Sequence, residues 1–90
     1  MAVAAIKIKL MPESLDVNLE EIKKKAEEKI LKLKGLNPQF SEENIAFGLK
    51  ALIITLAWPE SQETGILETE LAGIDGVSSA QIIDYRRAFG

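Results

Sequence analysis

Neither cysteine nor histidine occurs anywhere in the chain. Their absence excludes disulfides, thiol nucleophiles, metal centres built on thiolate or imidazole, and the usual proton shuttle at neutral pH. An enzyme built on this sequence has only carboxylates, lysines, serines, arginines and one tyrosine to work with. Aromatic residues are scarce, at 6%, and the first forty positions hold only Phe40. No apolar run is long enough to span a membrane. Met1 to Ile6 is apolar but is broken by Lys7 and Lys9, and it lacks the basic start of a secretory signal, so a cytoplasmic location is expected. Basic residues are outnumbered, 11 against 14 acidic, for a net charge of −3. That balance argues against general affinity for nucleic acid, which depends on neutralising phosphates. Ninety residues suffice for one core without disulfide or metal, so a single domain covering 1–90 is expected.

What is present reads as six elements. Ala4, Ile6, Ile8 and Leu10 alternate with Lys7 and Lys9, the pattern of a half-buried strand that Met11-Pro12 closes. After a loop from Glu13 to Val17, Asn18 and Glu21 stand at the offset of a capping box. The helix they open carries Leu19, Ile22, Ala26, Ile30 and Leu33 on one stripe. Its other faces are Glu and Lys, with Glu20/Lys24, Glu21/Lys25 and Glu28/Lys32 at the favourable four-residue offset, a solvated surface. Gly35 is the expected stop. Leu36 to Glu43, with Asn37-Pro38, is expected as an edge strand, and Leu49 to Trp58 as a long strand with Leu52, Ile54 and Leu56 inward. Its other phase, Ala51, Ile53, Thr55 and Ala57, predicts a mild apolar patch. Ser61 is the expected cap of a shorter helix carrying Leu67, Leu71 and Ile74, weakened by Gly65. Gly73-Ile74-Asp75-Gly76 ends it. A last strand from Val77 to Tyr85 follows, with Ala80 and Ile82 inward and the phase of Ile83 and Tyr85 open. Strand, helix, strand, strand, helix, strand is the α+β, ferredoxin-like arrangement: a four-stranded antiparallel sheet with both helices on one face and the first and third strands central.

Several activities found on that arrangement lack their residues. A metal carrier needs a cysteine pair after the first strand, where Met11-Pro12-Glu13-Ser14 stands instead. An RNA-recognition module needs stacking aromatics on both central strands, and the first strand has none. Acylphosphatase-like chemistry wants an arginine in the loop after the first strand, and Met11 to Val17 contains none. The carboxylate pairs Glu42-Glu43 and Glu68/Glu70 have no buried or cationic setting in the sequence and read as surface.

Two features stand apart. Phe47, between Ala46 and Gly48, precedes the periodic run and adjoins a residue that permits positive φ, so a turn should lift it into solvent. Arg86-Arg87 places paired cations at the end of the last strand, ahead of Ala88, Phe89 and Gly90. Basic strand ends also discourage edge-to-edge pairing, and pattern alone leaves that choice open.

Ile8 to Ser14, Ile45 to Leu52, Gly73 to Val77 and Asp84-Tyr85-Arg86-Arg87 together resemble, in order and along the whole chain, the translation elongation factor 1-beta family and its carboxyl-terminal exchange domain in eukaryotes. The resemblance implies a guanine nucleotide exchange factor acting on the elongation factor 1-alpha GTPase, without covalent chemistry or a cofactor or metal of its own. It implies that Arg87 stands where relatives carry a lysine that enters the partner's magnesium and phosphate region, with Arg86 able to share that role. It also implies that the Ala46-Phe47-Gly48 turn meets the partner's second domain, and Tyr85 is expected at the interface too. Arg for Lys is not a neutral exchange, because a planar fork replaces a compact charge. A monomer that binds neither nucleic acid nor membrane is expected. The alternative is a regulatory, ligand-binding or oligomerisation module using the sheet face around Ala51, Ile53 and Thr55.

Overall fold

In the computed structural model, which describes residues 2–87, the chain forms β1 (Val3–Pro12), α1 (Leu19–Lys32), β2 (Leu36–Asn44), β3 (Lys50–Pro59), α2 (Thr64–Ala72) and β4 (Val77–Arg87). The strands lie in the order β2-β3-β1-β4, every neighbouring pair antiparallel. This is the ferredoxin-like arrangement, with β1 and β3 central. Ala4, Ile6, Ile8 and Leu10 from β1 and Leu52, Ile54, Leu56 and Trp58 from β3 pack under Ile22, Ala26 and Ile30 of α1 and Leu67 and Leu71 of α2. All of these are essentially withdrawn from water, and at about 1.5–3 kcal/mol for each large aliphatic side chain they supply the main force holding the layers together.

The caps depart from the expectation in instructive ways. Asn18 accepts a hydrogen bond from the Glu20 amide at 2.9 Å, so it caps α1 by itself without a reciprocal bond from Glu21 among the described contacts. At the far end the left-handed residue is Lys34, with φ 75°, and not the expected Gly35. Gly35 N–H donates to the Ile30 carbonyl (2.8 Å) and Lys34 N–H to that of Leu31 (3.2 Å), the paired bonds of a Schellman stop. Gly35 is required for space: a Cβ there would lie 2.6 Å from Ile30 Cγ2 and 3.0 Å from Leu56 Cδ1.

Ser61 does not cap α2. The cap position is Glu63, which makes no side-chain cap bond, because residues 59–62 form a turn of their own, closed by Gln62 N–H on the Pro59 carbonyl (3.0 Å). The buried Trp58 indole donates to the Gln62 carbonyl (3.2 Å), and the Gln62 side-chain amide donates to the Leu33 carbonyl at the α1 stop (2.7 Å). The turn after β3 is thereby fixed to the end of α1.

None of the three four-residue pairs expected on α1 closes among the described residues. The lysines that pair are those flanking its neighbours. Lys29 meets Glu70 of α2 at 3.6 Å, and Lys23 lies between Glu20 (3.1 Å) and Glu42 of β2 (3.5 Å). The hydrogen bond to Glu20 raises the Lys23 pKa above its ordinary value, with Glu42 adding to the effect. A raised lysine keeps this clamp charged through neutral pH, and its contribution fades only in strongly alkaline solution. The patch expected on the open face is also reduced, to an exposed Thr55 and a half-buried Ala57. Ala51 is fully buried and Ile53 only 8% exposed, because Lys9, opposite Ile53, extends across β3 to Glu43 of β2 at 3.9 Å and lays its aliphatic stem over them.

The two halves of the α1 stop should respond oppositely to substitution. Lys34→Gly relieves a left-handed side chain and should stabilise by several tenths to about 1 kcal/mol. Gly35→Ala should destabilise by about 1–3 kcal/mol through overpacking. Urea midpoints of the two variants check both.

Candidate functional site

The β2–β3 hairpin turns through Ala46-Phe47-Gly48-Leu49. Leu49 N–H donates to the Ala46 carbonyl and Ile45 N–H to the Leu49 carbonyl, both at 2.9 Å. Phe47 (φ 54°) and Gly48 (φ 82°) are both left-handed, as a type I′ turn requires for strands to leave with the right twist. Glycine suits this backbone and phenylalanine does not, at a cost of about 1–2 kcal/mol. The aromatic ring recovers none of that by burial, since Phe47 is 94% exposed. Strain kept at an exposed aromatic is characteristic of a contact surface. Beside it Leu15, from the β1–α1 loop, is 64% exposed and lies against Gly48, where a Cβ would come within 3.4 Å of its Cδ2. Ile45, on the same hairpin two positions before Phe47, is 37% exposed. Leu15 was missed in the sequence; its signal was one apolar residue isolated among Glu13, Ser14 and Asp16.

The expected cations occupy the diagonally opposite corner. The β1–β4 ladder slips between Lys7 and Ile8: Lys7 faces Asp84 while Ile8 faces Ile82, leaving Ile83 as an extra, bulged residue. This bulge resolves the phase left open by the sequence. Ala80 and Ile82 point inward before it, and after it Tyr85 and Arg87, opposite Ile6 and Ala4, share the helix-bearing face. Asp84 and Arg86 fall on the open face. The two arginines therefore point to opposite sides of the sheet. Arg86 Nε lies 3.2 Å from Asp84 Oδ2, and Arg87 Nε lies 3.1 Å from Glu60 Oε1, with both arginine side chains about four-fifths exposed. Tyr85 borders a cleft with Glu60, Gln62, Glu63 and Glu68, and the Glu68 carboxylate accepts the Ile82 amide at 2.9 Å. Ala88, Phe89 and Gly90 lie outside the described residues.

The predicted residues thus form two groups that the fold keeps apart. Tyr85, Arg86 and Arg87 are at one corner, and Ala46, Phe47 and Gly48 at the other, on the order of 30 Å away at the usual strand rise and spacing. The molecule is 41 Å in its longest dimension, so these are its two poles. The remaining carboxylate candidates have structural employment: Glu42 with Lys23 and Lys50, Glu43 with Lys9, Glu70 with Lys29 and Glu68 with β4. No cluster of metal-ligating side chains occurs among the described residues.

A domain family described as the EF-1 guanine nucleotide exchange domain matches residues 5–87, from within β1 to the end of β4. The chain belongs to that family. It is similar to elongation factor 1-beta of Methanosarcina barkeri, at 42% identity over 97% of this chain and 99% of the relative. The corresponding factor of Methanothermobacter thermautotrophicus is 43% identical over 89% and 90%. That of Sulfolobus acidocaldarius is 41% identical over 89% and 90%. Both corners of this exchange domain fall inside the matched span. Among the described residues no helix is long and apolar enough to cross a membrane.

If Phe47 is retained for contact and not for folding, Phe47→Gly should raise stability by several tenths to about 1 kcal/mol, since strain is removed and no buried area is lost. A thermal melt showing destabilisation beyond 1 kcal/mol would mean that the ring supports the hairpin instead.

Proposed function

We propose that this chain accelerates release of GDP, and reloading with GTP, on elongation factor 1-alpha by presenting Arg87 to the partner's magnesium and phosphate region while the Phe47 corner holds a separate part of the partner. Membership in the EF-1 guanine nucleotide exchange domain family makes the chain a nucleotide exchange factor of translation. The observation that supports this division of labour is the separation of an exposed cation and a strained, exposed aromatic to opposite poles of one stiff sheet. Two contacts that far apart suit a partner with two contact regions and leave the lever between them no freedom to flex.

Magnesium holds nucleotide phosphates in a near-octahedral set of oxygens, and a guanidinium brought beside it repels the ion and competes for those oxygens. The nucleotide then loses part of its grip. Arg87, beside Tyr85 on the helix-bearing face, supplies the inserted charge, and Arg86 on the other face adds to the local field. No covalent bond changes, which is consistent with a chain that has no histidine or cysteine. Binding is reciprocal: a factor that weakens nucleotide affinity is weakened equally by nucleotide, so rebinding of GTP expels it. A cytoplasmic, monomeric factor in one domain fits this cycle.

The regulatory-module alternative has less apolar surface to use than the sequence suggested, because Ala51 and Ile53 are buried while Thr55 remains exposed.

The test is stimulated release of labelled GDP from a purified archaeal elongation factor 1-alpha. Arg87→Ala should lower the maximal release rate by about tenfold or more, as loss of a charge-assisted contact of ~1.5–3 kcal/mol implies, with little change in the concentration giving half-maximal effect. Phe47→Ala should chiefly raise that concentration. Parental behaviour of both variants would overturn the assignment of the two corners.

A further inference from the structure

We infer that Glu60 is a positioning residue for exchange, setting the direction from which Arg87 is presented; this rests on the reading of Arg87 given above. The inference comes from the unequal footing of the two partners in one ion pair. Arg87 has a long, mobile side chain that is 78% exposed, at the last described position of an edge strand. Unrestrained, such a side chain samples many rotamers, most of them directed away from any one target.

Glu60 stands on a firmer base. Its side chain is only 22% exposed, and its amide donates to the Ala2 carbonyl at 3.2 Å, continuing the β1–β3 ladder one step beyond Pro59. The residue after next, Gln62, is bonded to both Trp58 and the end of α1. The backbone under Glu60 is therefore fixed and its side chain is the more enclosed of the two partners, 22% exposed against 78% for Arg87. Contact at 3.1 Å draws the guanidinium to the helix-bearing side, along the line of Tyr85. The bulge at Ile83 makes this possible, because without it Arg87 would fall on the face away from Glu60.

An exposed ion pair of this kind is weak and readily surrendered to a stronger anion. It orients Arg87 before encounter and yields when phosphate oxygens compete. Arg86, held by Asp84 on its own strand at 3.2 Å, has no such fixed anchor from another element among the described contacts.

The experiment measures stimulated release of labelled GDP from archaeal elongation factor 1-alpha by the full chain carrying Glu60→Gln, Glu60→Asp, Arg87→Ala, or Glu60→Gln with Arg87→Ala. Glu60→Gln should lower the maximal rate about two- to fivefold, the range open to one exposed ion pair, without shifting the half-maximal concentration. Glu60→Asp, which keeps the charge, should recover most of the loss. In the Arg87→Ala background, Glu60→Gln should have no further effect. Faster release, an unchanged rate, or an equal loss with and without Arg87 would each overturn the inference. The underlying reading fails separately, and is recognised by Arg87→Ala alone releasing GDP at the parental rate.

Discussion

The slipped ladder between β1 and β4 decides which side of the molecule each functional group of β4 serves. One extra residue, Ile83, turns Tyr85 and Arg87 toward the helices and leaves Arg86 and Asp84 on the open face. Without it a regular alternation continuing from Ile82 would send Arg87 to the opposite side, away from the turn that carries Glu60. Bulges bend and twist the strand that carries them, and they recur where a side chain must be re-aimed. Here the device is stable because the partner strand is immovable: β1 is central, paired on both sides, and buries Ala4, Ile6, Ile8 and Leu10.

The same rigidity gives meaning to the distance between the corners. A flexible linker carrying a cation and an aromatic would place them at a spread of separations. The β1–β3 pair, locked over eight register positions and sealed by Trp58 at one end, fixes a single separation. The turn after β3 belongs to this frame through the Trp58 and Gln62 hydrogen bonds. At the hairpin tip Phe47 is held left-handed and in solvent. Energy given up at that tip is recovered in the core, a distribution common at contact surfaces.

Much of this was legible in the sequence because periodicity reports burial. Alternation fixed the faces of β1, steps of three and four fixed the stripe of α1, and the order of elements gave the ferredoxin-like topology. Phe47 was legible as an exposed turn residue because glycine followed it and no apolar period included it. The failures have a common physical origin: they depend on contacts between residues distant in sequence. Lys34, and not Gly35, takes the left-handed position, while Gly35 is needed for the space that Ile30 and Leu56 occupy. Ser61 fails as a cap because the turn it occupies is committed to Trp58 and α1. On the open face of β3, Ala51 and Ile53 are buried where Lys9 and Glu43 pair across them, a contact that the pattern of β3 alone does not report. The bulge at Ile83 left only the mixed signal of two adjacent isoleucines, and the Glu60–Arg87 pair, 27 positions apart, left none.

The central claim is that cations aimed by a rigid sheet loosen the partner's nucleotide, and removing both arginines at once tests it most directly. Labelled GDP release from archaeal elongation factor 1-alpha should be compared between the parent chain and one ending at Tyr85, with thermal melts confirming that both are folded. The account predicts that the shortened chain still binds through its Phe47 corner but leaves release at the spontaneous rate. A folded, shortened chain that unloads GDP as fast as the parent would contradict it.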